Sequence, residues 1–179
     1  RLVGSEMCIR DSHKGLLWVI IAQNQGRKRL KHQGSCLCGQ FQFESDLDPM
    51  LIIQCNCMNC RKLSGSYQLG CLYAVTEITQ SGETDTYQFE GGSGYLNTAH
   101  FCKNCHIRCK THPAPEVMEG MVGIPLGLFN TAKDLSPKAE IWTSEKLPFL
   151  GTDQCISESF EDSGIAERLM AMLEKMEDR

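Results

Sequence analysis

A chain of 179 residues suits a single domain with a tail, and its formal charge of −4 excludes a general nucleic-acid binder, which would carry a basic footprint. Its longest apolar run, residues 16–22, is too short to span a bilayer, and Gln23-Asn24-Gln25 follows it in place of a small-residue cleavage site. With no export signal and no membrane span expected, the chain reads as cytoplasmic, and its odd count of eleven cysteines argues for metal ligands over a disulfide framework.

In chain order, Arg1–Ser12 (RLVGSEMCIRDS) has no initiator Met and no hydrophobic period, and it reads as a translated adaptor with Cys8 set aside. Residues 13–33 are a short apolar piece and a Gln-rich linker. Its basic run, Arg27-Lys28-Arg29 with Lys31, reads as solvated. Segment 1–33 is therefore expected to be disordered or artefactual, outside the folded domain. From Gly34 the character changes. Gln40–Glu44 alternates polar and aromatic residues, as a half-buried strand does, and Leu51-Ile52-Ile53 leads into a cysteine cluster. Leu69–Val75, Thr84–Phe89 and Ala139–Thr143 have strand composition, with turns at Ser81-Gly82 and Glu90-Gly91-Gly92. Helical signals concentrate at the end, where Ile165, Leu169, Met172, Leu173 and Met176 share one helical face behind Ser163 as N-cap. The expectation is a mainly β, metal-pinned domain over 34–150 and a helical tail over 151–179.

Three cysteine groups carry the chemistry: Cys36-Leu-Cys38-Gly39, Cys55-Asn-Cys57-Met-Asn-Cys60 and Cys102-Lys-Asn-Cys105. Zinc takes four ligands in a tetrahedron, and CxxC or CxC pairs bring two sulfurs to one ion. Seven thiols divide as four plus three. Cys55, Cys57 and Cys60 are local enough to share one metal, and the two distant pairs can close a second site. The three-thiolate site leaves a position for water or a substrate atom, unless His100, His112, Cys71 or Cys109 closes it. Arg61 and Lys62 follow at once and are candidates to offset its negative charge. Cys71 reads as a small core residue, and Cys109 and Cys155 as bystanders. Cys102–His106 also fits the CxxCH haem pattern, which would leave Cys36 and Cys38 without a role.

Gly34-Ser-Cys36-Leu-Cys38-Gly39, Cys55–Arg61 with Gly65-Ser66, and Phe101–Cys105 together resemble the glutathione-dependent formaldehyde-activating enzyme family, shared with centromere protein V. Ile141–Pro148 resembles that family's closing segment. The resemblance implies a β-tent fold of stacked small antiparallel sheets pinned by zinc, with a short C-terminal helix. It implies two zinc ions. One is structural, at Cys36, Cys38, Cys102 and Cys105; the other is of catalytic type, at Cys55, Cys57 and Cys60. It also implies a carbon–sulfur lyase acting on S-hydroxymethylglutathione or the adduct of a related small thiol. The alternative is a non-catalytic zinc-binding interaction module related to centromere protein V. His106 departs from the family, which usually has Gly after the last cysteine, and Gly127-Leu128-Phe129-Asn130 replaces its Gly-x-Leu-Asp.

Overall fold

The structure, a computed structural model, describes residues 31–151 and 153–163. Residues 1–30 and the expected C-terminal helix beyond Ser163 fall outside the described residues. The folded part nevertheless begins before residue 34, since His32 and Gln33 open a strand and His32 is buried, and Glu158–Ser159 of the expected helical tail is a strand. Eleven strands are formed by His32–Ser35 (β1), Gln42–Ser45 (β2), Leu51–Cys55 (β3), Gln68–Ala74 (β4), Thr79–Ser81 (β5), Thr84–Glu90 (β6), Leu96–Cys102 (β7), Arg108–His112 (β8), Met121–Pro125 (β9), Ala139–Ile141 (β10) and Glu158–Ser159 (β11). Met58–Ser64 (α1) and Pro115–Met118 (α2) are short helices. Among the described residues no helix is long and apolar enough to cross a membrane.

The strands form a three-stranded sheet, order β1-β2-β5, and an eight-stranded sheet, order β11-β10-β3-β4-β9-β8-β7-β6. This is the β-rich architecture expected from the alternating segments, although one sheet is large rather than all being small. Its pairings are antiparallel except where β10 lies parallel to β3 and β11. The core lies on the face of the large sheet where Cys71, Tyr73, Val122 and Ile124 pack with Phe43 of the small sheet and Phe41 just before it. Phe129 is one of its keystones, edge-on to Phe43 at 4.7 Å and stacked on Tyr73 at 6.3 Å. Gly34 makes this closeness possible: a β carbon there would come within 2.1 Å of the Leu128 carbonyl oxygen.

Helix α1 is unexpected from the sequence. None of its residues is buried, so no apolar face marks it, and its N-cap is Cys57 instead of a hydroxyl or carboxylate side chain. The Cys57 sulfur accepts from the Cys60 amide at 3.4 Å, and Gly65 ends the helix at φ 83° in the left-handed form. The Ala139–Thr143 strand also stops early. Trp142 turns left-handed at φ 58°, so only residues 139–141 pair.

Candidate metal centres

Cys36 and Cys38 lie in the loop from β1 to β2, Cys102 ends β7, and Cys105 lies in the turn from β7 to β8. Folding brings the four sulfurs within 4.8 Å of one another. The Cys36 and Cys38 sulfurs are 3.5 Å apart, and those of Cys38 and Cys102 are 3.7 Å apart. A tetrahedron with Zn–S near 2.3 Å has sulfur–sulfur edges of about 3.8 Å, so the donor set fits zinc in number, type and spacing. The turn bonds to itself through the Cys102 carbonyl, which accepts from His106 N at 2.9 Å. His106 takes φ 57° to complete it, the left-handed form that explains why the resembling family has Gly there. Asn104 and the Gln40 amide hydrogen-bond the exposed Cys38 thiol and bring it down to about 6, the direction a metal ligand needs.

Cys55 ends β3, and Cys57 and Cys60 sit at the start of α1; their sulfurs also lie within 4.8 Å of one another. Without a cation the three cannot all ionise. Hydrogen bonds from Cys55, then Cys60, hold Cys57 low, while the Cys55 thiol is pushed up by Cys57, by Cys60 and by burial. Among the described residues no further His, Cys, Asp or Glu joins this group. His100, His112, Cys71 and Cys109, the alternatives from sequence, are all elsewhere. His100 and His112 contact each other at 5.1 Å, and Cys71 and Cys109 are buried in the core.

Arg61, expected to offset the thiolates, donates instead to the Glu145 carbonyl at 2.9 Å. The cation beside the sulfurs is Arg108. Burial lowers its pKa, and the charge and hydrogen bonding of Cys60 oppose that, with Cys55 and Cys57 adding to the opposition. Arg108 also donates to the Gln68 side chain. Its placement follows from a register shift: Phe101 pairs with Arg108 but His100 with Lys110, so Cys109 is an extra residue in β8. Directly paired residues share a face, as do Ala99 and Thr111. Arg108 and Thr111 therefore share a face despite their odd spacing. Strand alternation alone would have sent them to opposite faces, and no sequence signal marked the bulge.

The closing segment carries the second support. Glu145 accepts from Met58 N at 2.5 Å, and the buried Asn56 side chain donates to the Ile141 carbonyl at 3.1 Å. Beneath lies a buried pair, Lys146 to Glu140 at 2.6 Å, with Ser159 donating to Glu140 at 2.8 Å. Cys55, Cys57 and Cys60 border a cavity of about 270 Å³ on the sheet face opposite the core. Its floor runs across the large sheet from Ile141 and Ile53 through Gly70 and Gly123 to Asn97 and Phe89.

A β-rich domain with one four-cysteine and one three-cysteine group, both suited to zinc, defines a class of metal-pinned proteins. The sequence pattern of the glutathione-dependent formaldehyde-activating enzyme family matches residues 31–145, and the chain belongs to that family. Zinc binding and glutathione- and formaldehyde-related chemistry hold at the level of the family. A crystal structure of a Rhodobacter sphaeroides protein is similar, with 14% identity and a TM-score of 0.42, covering 72% of this chain and 98% of that one. No curated protein matches the chain.

Proposed function

We propose that the chain is a cytoplasmic zinc-dependent carbon–sulfur lyase that forms or cleaves the adduct of an aldehyde with glutathione or a related small thiol. The observation that carries this reading is the group of three cysteines, without a fourth protein donor among the described residues, on the edge of a cavity. Cys36, Cys38, Cys102 and Cys105 would hold a structural zinc, and Cys55, Cys57 and Cys60 a second one. Bound there, zinc supplies a Lewis acid that keeps a thiol sulfur ionised at neutral pH, where a free thiol near pKa 8.5 is mostly protonated.

The chain's own residues provide the rest. The three thiolates fix where an incoming sulfur can join them, and α1 presents two of them from a single turn. Arg108 balances excess negative charge next to Cys60. Glu145, through Met58 N, and Asn56 tie the first half of the cysteine segment to the closing segment. The test is proton NMR of glutathione and formaldehyde exchange with zinc-loaded protein. Acceleration that disappears in Cys57→Ser is expected. Exchange no faster than in buffer, with two zincs bound, would favour the non-catalytic interaction module.

A further inference from the structure

The space beside the three cysteines owes its size to two glycines. Gly70 of β4 and Gly123 of β9 both line it. A β carbon added at Gly70 would meet nothing within 4 Å, and one at Gly123 only the Thr111 carbonyl, at 3.7 Å. Larger residues would fit the backbone at either position and would fill the cavity. The lining includes three aromatic side chains, Phe89, Tyr95 and Trp142. Trp142 keeps its left-handed backbone with its ring against Gly92, where a β carbon would come within 2.5 Å of Cζ2. A bulky residue held in that conformation is uncommon, and such strain persists only where its surroundings fix it.

Size and charge together narrow the occupant. A water molecule takes about 30 Å³ in the liquid, so the cavity matches about nine of them, far more than formaldehyde needs. Among the described residues no Asp, Glu, Lys, Arg or His lines it, and Arg108, next to Cys60, is not part of the wall. Glutathione carries carboxylates and an ammonium, and a charge without a partner in apolar surroundings is strongly unfavourable. A hydrocarbon group has no such penalty there.

We infer that the cavity accepts the hydrocarbon substituent of an uncharged thiol, an arene- or alkanethiol, whose sulfur joins Cys55, Cys57 and Cys60 at the zinc they would hold. This rests on the open-site reading above and names the thiol class within it. Because the three cysteines themselves border the cavity, a sulfur that joins them from it leaves its substituent inside. The thiol proton passes to water, and no electron moves.

Zinc-loaded protein is titrated with benzyl mercaptan, glutathione and benzyl alcohol while Trp142 emission is followed, with Trp142→Phe as the blank for Trp18. Benzyl mercaptan is expected to bind at least tenfold more tightly than either of the others. Gly70→Val and Gly123→Val should each weaken it tenfold or more with zinc content and melting temperature kept. Glutathione binding as tightly as benzyl mercaptan, or folded valine variants that leave its affinity unchanged, would overturn the inference. So would benzyl alcohol binding as tightly, since the sulfur would then contribute nothing. Failure of the lyase reading looks different. Benzyl mercaptan binding that both valines weaken, without exchange of any thiol adduct, upholds the cavity and sinks the lyase. Glutathione–formaldehyde exchange, together with benzyl mercaptan binding that neither valine weakens, does the reverse.

Discussion

Removing two thiols from each cysteine group should cost unequal stability, although the chemical change is the same. Cys102→Ser/Cys105→Ser frees the β7–β8 turn from the loop that carries Cys36 and Cys38, ligands at least 64 residues away in sequence. Cys57→Ser/Cys60→Ser opens only a local turn, and the hydroxyl it introduces at the N-cap can still cap α1. If each metal is treated as a cross-link, chain entropy gives about 4 kcal/mol for a loop of that length and about 2 kcal/mol for one of about six residues. The difference of about 2 kcal/mol, at roughly 4 °C per kcal/mol for a domain of this size, predicts melting temperatures roughly 8 °C apart. Far-UV dichroism melts of both zinc-loaded variants and the parent, with zinc measured per chain, give the comparison. Each variant should retain one zinc, and stepwise chelation of the parent should empty the three-cysteine group first. Equal melting temperatures, or a lower one for the Cys57/Cys60 variant, would refute the division into a closing site and a local one.

Arg108→Gln should weaken zinc at the three-cysteine group by about 10–100-fold, as loss of a ligand's neighbour commonly does, and leave the four-cysteine group unchanged; competition with a chromogenic chelator reads both. His106→Gly should raise stability by up to about 1 kcal/mol by releasing a left-handed backbone, and a lower urea midpoint would contradict that reading. Burial, and then the charge of Lys110, keep His112 below its ordinary value of 6.5 against its hydrogen bond to the Met121 carbonyl. Between the two values the unfolded chain binds the proton more readily, so stability is complete above about pH 6.5 and falls as the pH drops below it. His112→Gln should flatten that slope in melts between pH 7.5 and 5.5.

The cysteine groups were legible because a metal imposes short, fixed spacings that survive any surrounding fold. Strands β2, β3, β4 and β10 were legible as β-rich segments, since burial on one or both faces leaves an alternation or an apolar run, and the largely exposed β6 by its Thr, Tyr and Phe content. Strands β7, β8 and β9 gave no such signal: His100, Lys110 and His112 are polar residues set in the sheet interior, and Gly123 replaces a side chain with cavity. Arg108 escaped because its role depends on a register shift that only the pairing reveals. Arg61 stands out by proximity in sequence, which says little about proximity in space once a helix turns the chain. The family resemblance could anticipate ligands, but not the shape of the cavity beside them.

The parallel pairing of β10 with β3 sets a waiting time during synthesis. Cys55 is opposite Ile141, and the Glu145 carboxylate holds the first turn of α1, so this neighbourhood is complete only after residue 145 leaves the ribosome. At about 5–20 residues per second, Cys55, Cys57 and Cys60 wait roughly 5–20 s for their cover. Three thiols that close together are well placed to oxidise to a wrong disulfide in that interval. A reducing compartment and early capture of zinc would then govern the yield of folded protein as much as its final stability does.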